Sequence, residues 1–126
     1  MQDQLELVFP IWPPSVNKEW RNVGGRAILS EPARVFRRRM KDHVLLMRLE
    51  RLMPEERITG ALSLRITLYP PDSRRRDVDN YAKNIFDSFT QAKVWHDDAQ
   101  VKRLTVEFGE PIRGGGFRVL MEPYRR

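Results

Sequence analysis

Leu62-Ser63-Leu64-Arg65-Ile66-Thr67-Leu68-Tyr69, followed at once by Pro70-Pro71-Asp72-Ser73, is the clearest strand in the chain. Four aliphatic residues alternate with Ser63, Arg65, Thr67 and Tyr69, so one face is apolar. The Pro-Pro-Asp-Ser run then forbids regular structure. Downstream, Ile85, Phe86 and Phe89 form an apolar stripe that predicts a helix over Asn80–Ala92, with Asp79 as its cap. Lys102, Leu104, Val106 and Phe108 alternate with their neighbours and predict a strand. Gly114-Gly115-Gly116 makes a turn, and Phe117, Val119 and Met121 predict the last strand. Upstream, Phe36, Met40, Val44, Met47 and Leu52 place a helix from Ala33 to about Met53. Ser30 is its N-cap, Pro32 lies in its first turn and Pro54 stops it. Leu5, Leu7 and Phe9 read as a first strand. Residues 10–30 read as a long loop with a small hairpin turning at Gly24-Gly25. The order β, α, β, α, β, β implies one compact α+β domain over residues 1–126, with a mixed or mostly antiparallel sheet of about four strands and two main helices.

Composition narrows the function. The chain carries 23 Lys plus Arg against 17 Asp plus Glu, a net charge of +6, and 18 of the basic residues are Arg. That balance favours a polyanionic partner, and the arginine fork suits phosphate. No cysteine is present, which excludes disulfides, thiolate metal sites and cysteine nucleophiles; two histidines cannot build a three-imidazole zinc site. The longest aliphatic run, Val44-Leu45-Leu46-Met47, is too short to span a bilayer, and Met1-Gln2-Asp3-Gln4 lacks the features of a secretory leader. The expectation is a soluble cytoplasmic protein with no membrane partner and no small-molecule cofactor.

Against this basic background, six of the eight aspartates lie within residues 72–98. In extended chain Asp77 and Asp79 point to one face. Two close carboxylates repel, and a hard divalent cation, Mg2+ or Mn2+, relieves them. Lys83 follows Asp79 by one helical turn and supplies a fixed positive charge. A second acidic pair, Asp97-Asp98, precedes the strand at 101. If the intervening helix doubles the chain back, three carboxylates and a lysine are equipped for metal-assisted phosphodiester hydrolysis, with Arg74, Arg75 and Arg76 holding flanking phosphates. The same residues also permit a solvated salt-bridge network. Lys83 with Asp87 has the spacing of a helix-face ion pair, and Asp97 reads as a turn residue rather than a ligand. His96 is either a base or a solvated turn residue; His43 falls near the apolar side of its helix. Trp12, Trp20 and Trp95 suit either base stacking or core packing.

Arg75-Arg76-Asp77-Val78-Asp79-Asn80, Lys83, the Trp95–Val101 stretch with Asp97-Asp98-Ala99-Gln100-Val101, and Trp12-Pro13-Pro14-Ser15-Val16-Asn17 resemble the RusA family of Holliday junction resolvases. The resemblance covers most of the chain and is dense over 72–101. It implies that Asp77, Asp79 and Asp98 are essential carboxylates and metal ligands, that Lys83 is an essential lysine, and that magnesium is the cofactor. It also implies a homodimer acting on branched DNA, cutting two strands of like polarity across a four-way junction. Two alternatives from other classes stay open: a non-catalytic basic nucleic-acid-binding module, and a metal nuclease acting on flaps or RNA.

Overall fold

The computed structural model describes residues 4–126; residues 1–3, which carry most of the leader-peptide reading, lie outside them. In chain order the elements are β1 (Leu5–Phe9), β2 (Trp20–Val23), β3 (Arg26–Leu29), α1 (Glu31–Leu49), β4 (Leu62–Tyr69), α2 (Ala82–Gln91), β5 (Val101–Phe108) and β6 (Gly116–Pro123). The main sheet runs β1-β6-β4-β5. Its pairings are antiparallel except β4–β5, which is parallel. β2 and β3 form a separate two-stranded sheet. The expected α+β fold with a mixed four-stranded sheet is therefore what the chain adopts.

The alternation at 62–69 sets the register. Leu64 lies opposite Met121, Ile66 opposite Val119 and Leu68 opposite Phe117, while β1 adds Leu7 opposite Val119 and Phe9 opposite Phe117. A slip of one residue would turn all of these to the wrong face. Both helices pack on this apolar side: Phe36 of α1 meets Phe117, and Phe89 of α2 meets Phe9. Each such fully buried side chain contributes about 1.5–3 kcal/mol.

Ser30 caps α1 as expected, its Oγ accepting from the Ala33 N–H, and Phe36, Met40, Val44 and Met47 are buried. The helix ends at Leu49, however, not near Met53. Arg51 adopts a left-handed φ of 60°, and the Leu52 N–H reaches back to the Met47 carbonyl at 2.8 Å. This closure satisfies the terminal carbonyl before Pro54 is reached. Leu52 thereby leaves the apolar face and is 56% exposed. α2 begins at Ala82 rather than at Asn80 and is not capped by Asp79. A short 3-10 turn, Val78–Asn80, takes up Asp79, and Tyr81 occupies the cap position without a side-chain bond. Packing decides this, since the Tyr81 ring is buried against Trp12 at 4.9 Å.

Trp95, just after α2, has no exposed surface. Its ring meets the edges of Phe86 and Phe89, and its Nε1 donates to Thr90 Oγ1 at 2.7 Å. Trp95→Ala is expected to cost about 3–5 kcal/mol. Urea unfolding checks this: the midpoint should fall with the slope unchanged, and a midpoint equal to that of the parent would contradict it.

Candidate active site

Parallel strands cannot be joined by a tight turn. Residues 70–100 must therefore cross from the end of β4 to the start of β5, and this crossover carries Arg74–Arg76, Asp77, Asp79, Lys83, Asp87, Asp97 and Asp98. It leaves β4 through a loop stapled by Asp72, whose Oδ1 accepts from the Arg74 N–H at 3.0 Å and lies 2.9 Å from Arg76 Nη1. These bonds hold the Asp72 carboxyl below its ordinary range, the Arg74 backbone N–H contributing most. Arg76 also donates to the Asp72 and Arg74 carbonyls and lies over the Trp12 ring at 5.5 Å. Of the three arginines, Arg76 is thus engaged inside the loop, while Arg74 and Arg75 are exposed. Asp77 follows in extended conformation and is exposed, as is Asp79 in the next turn; that turn packs against β5.

α2 is held by a buried polar residue. Asn84, fully buried, donates from Nδ2 to the Pro14 carbonyl at 2.9 Å and the Ser15 carbonyl at 3.4 Å. The Trp12–Asn17 motif therefore anchors the crossover helix. Lys83 and Asp87, one turn apart, form the expected ion pair at 3.1 Å. The pair belongs to a longer chain of charges: Arg37 of α1 reaches Asp87 at 3.6 Å and Glu19 at 3.0 Å. Glu19 is buried, and its second oxygen has no hydrogen-bond partner. Burial pushes its carboxyl up, as does the neighbouring Asp87 carboxylate, while Lys83 and Arg37 oppose the rise.

The second acidic pair divides its roles. Asp97 closes a capping box, accepting from the Ala99 N–H at 2.8 Å while Gln100 accepts from the His96 and Asp97 N–H groups. Gln100 Nε2 donates to the Ile58 and Gly60 carbonyls, so the turn is tied to the segment before β4. His96 is exposed beside Arg57. Asp98 is half-buried on a short turn that packs against α2 and runs straight into β5. Burial raises its carboxyl above the ordinary range. The Asp97 and Asp87 carboxylates add to the rise and Lys83 counters it. The Lys83 ammonium is in turn held protonated to higher pH, by its bond to Asp87 first and by the charges of Glu19 and Asp98.

The crossover thus joins Lys83, Asp87, Asp98 and Glu19 in one electrostatic neighbourhood, and the Asp77–Asp79 segment leads directly into its helix. The expected convergence of Asp77, Asp79 and Asp98 is not present as a ready-made group: among the described residues no three acidic or histidine side chains are gathered closely enough to hold a metal ion. The donor chemistry nevertheless suits a hard cation. The side chains expected to bind it, Asp77, Asp79 and Asp98, are all carboxylates, and Asp98 is half-buried with Asp97 and Asp87 near it. Sequence reasoning passed over Glu19 and Arg37. Glu19 offered one signal, being the single acid in residues 10–30; Arg37 offered none among the many arginines of α1.

A basic α+β domain with this acidic crossover has known relatives. Residues 10–120 match the family model described as Endodeoxyribonuclease RusA. A protein named Crossover junction endodeoxyribonuclease RusA from Escherichia coli (strain K12) is 38% identical over 105 residues, covering 83% of this chain and 82% of that protein. One of the same name from Shigella sonnei (strain Ss046) matches to the same extent. One from Enterobacteria phage HK97 is 30% identical over 113 residues, covering 90% of this chain and 89% of its own length. The chain belongs to the RusA endodeoxyribonuclease family.

Removing Arg37 would leave Glu19 and Asp87 facing each other in a partly dry site. Arg37→Ala is expected to cost about 3–5 kcal/mol near neutral pH, the usual scale for breaking a buried pair. The Glu19 carboxyl would then rise further. A raised folded-state value favours the protonated form, so the loss should shrink as pH falls toward the ordinary glutamate value of 4.5. Urea melts of parent and variant at pH 7.5 and 5 test this, and a loss that stays constant or grows on acidification would refute it.

Proposed function

We propose that this chain is a structure-specific DNA endonuclease that resolves four-way junctions by hydrolysing phosphodiester bonds in two strands of like polarity, in recombination and repair. The observation that carries the reading is the family match over residues 10–120, within which the acidic crossover lies. The relatives' names, crossover junction endodeoxyribonuclease, supply the reaction and the substrate class. The net charge of +6 fits a polyanionic substrate.

In this reading Asp77, Asp79 and Asp98 would hold Mg2+, or Mn2+ in its place, through hard oxygen donors. Such a cation would supply water activation and charge neutralisation at phosphorus. Lys83 keeps its proton well into the alkaline range. It therefore acts as a fixed positive charge beside the developing oxyanion or the leaving oxygen. Asp87, itself paired with Arg37, holds the ammonium in position. The exposed Arg74 and Arg75 grip flanking phosphates, with Arg76 bracing their loop.

One chain with one such site cuts one strand, and a junction is roughly two-fold symmetric. A homodimer would present two equivalent sites to two equivalent strands. The described residues include no helix long and apolar enough to cross a membrane. Together with relatives from bacteria and phages, this supports a cytoplasmic DNA enzyme.

Labelled junction, duplex, flap and RNA incubated with Mg2+ or with EDTA test the proposal. Junction nicking at symmetric positions, abolished by EDTA, is expected. Asp77→Asn, Asp79→Asn, Asp98→Asn and Lys83→Ala should each lower the rate by on the order of 100-fold or more while junction binding persists. A stable complex without metal-dependent nicking would mark a binding module instead, and preference for flap or RNA would reassign the substrate. Sedimentation should give twice the chain mass. Affinity should fall steeply with salt as counterions are released.

A further inference from the structure

Little of the β2–β3 hairpin is buried. Among the described residues it pairs only with itself, through a turn in which Gly24 and Gly25 both have positive φ, 57° and 77°. This is the two-residue geometry that matches strand twist. All four residues of β2 are exposed, and Trp20 shows 54% of its surface to solvent. An indole left in water forgoes the burial that usually places tryptophan in a core, where Trp95 sits in this same chain. Trp20 lies opposite Leu29 and shares its side of the ribbon with Asn22, while Arg21 and Arg26 occupy the other side. Lys18 stands exposed at the root, and the one acid of the segment, Glu19, is turned inward. The ribbon's outward charge is therefore entirely positive.

A two-stranded ribbon is marginal alone, and this one is fastened at its base. The Ser30 N–H donates to the Glu19 carbonyl at 2.8 Å, Ser30 Oγ donates to the Lys18 carbonyl, and Arg34 donates to the Leu29 carbonyl at 2.9 Å. The Glu19 side chain is bound to Arg37, which also meets Asp87, the partner of Lys83. The hairpin and Lys83 therefore share one chain of ion pairs. We infer that this hairpin is a DNA-reading finger in which Trp20 stacks on a base exposed at the branch point and Arg21 and Arg26 hold adjoining phosphates. A base in continuous duplex is covered on both faces by its neighbours, whereas a base at the crossing strands has a face to offer. Stacking there would favour branched DNA without reading sequence.

The inference rests on the nuclease reading, and the test separates the two. The probe is a four-way junction with 2-aminopurine at the branch point, held uncut in EDTA, beside a continuous duplex of the same arms. Wild-type protein should bind the junction and change the 2-aminopurine emission. Trp20→Ala should weaken junction binding about tenfold, within the range for one lost stacked base, and abolish the emission change while leaving duplex affinity in place. Trp20→Phe should restore most of both. The ring lies outside the core, so the urea midpoint of each variant should match wild type. If wild type binds and cuts the junction but Trp20→Ala matches it, or loses junction and duplex affinity equally, the stacking assignment is overturned and the nuclease reading stands. If wild type neither binds nor cuts the junction, both fall.

Discussion

The parallel pairing of β4 with β5 is the constraint from which the rest of the molecule follows. Antiparallel neighbours can be joined by a turn of two residues, but a parallel neighbour requires the chain to travel back along the sheet. Here the return path is residues 70–100. Its middle, α2, must cover the apolar face that β1, β6 and β4 present, and Ile85 and Phe89 do so. Its two ends add Tyr81, Val94 and Trp95 to the core but are otherwise largely polar. They hold the short turns on which Asp79 and Asp98 sit. The acidic and basic residues of the crossover sit beside side chains that anchor it in the core.

Electrostatics at this crossover run against the charge of the protein as a whole. The chain is strongly basic, yet Asp98 is crowded by Asp97 and Asp87, and Glu19 is buried beside Asp87. Two cations keep this local excess in check. Arg37 bridges Glu19 and Asp87 from α1, and Lys83 binds Asp87 from within α2. The arrangement ties both helices and the root of the β2–β3 hairpin to one charge chain. Hairpin root, helix and lysine are thereby linked electrostatically.

The legibility of the chain varied with the range of the cause. The strands at 62–69, 101–108 and 116–123 were visible because their alternation is local, although only in β6 does burial follow it closely: β4 also buries Ser63 and Thr67, and β5 leaves Leu104 and Phe108 exposed. Ser30 as a cap and Gly24-Gly25 as a hairpin turn were visible for the same reason, since each depends on a few neighbouring residues. The end of α1 was not, because it hangs on the left-handed conformation of Arg51, an ordinary residue carrying no mark of it. The start of α2 was misread because Asp79 has the chemistry of a cap, while burial of Tyr81 beside Trp12 pulled the helix start past it. At the site, the Lys83–Asp87 pair and the turn role of Asp97 were legible from spacing. The charge chain through Glu19 and Arg37 spans positions 19 to 87 and leaves no periodic trace.

What the amino-acid sequence determined alone was the set of elements, the basic surface, the absence of thiol chemistry and the identity of the acidic and basic residues at 72–98, all properties of composition or of contacts a few residues apart. The tertiary structure alone decided that β5 lies parallel to β4, that Arg76 turns inward while Arg74 and Arg75 face out, that Glu19 is buried, and that Trp20 is left in solvent while Trp95 is enclosed. Those outcomes depend on which distant surfaces meet. A tryptophan or a glutamate is chemically the same in either setting, and only its long-range neighbours determine whether it faces protein or water.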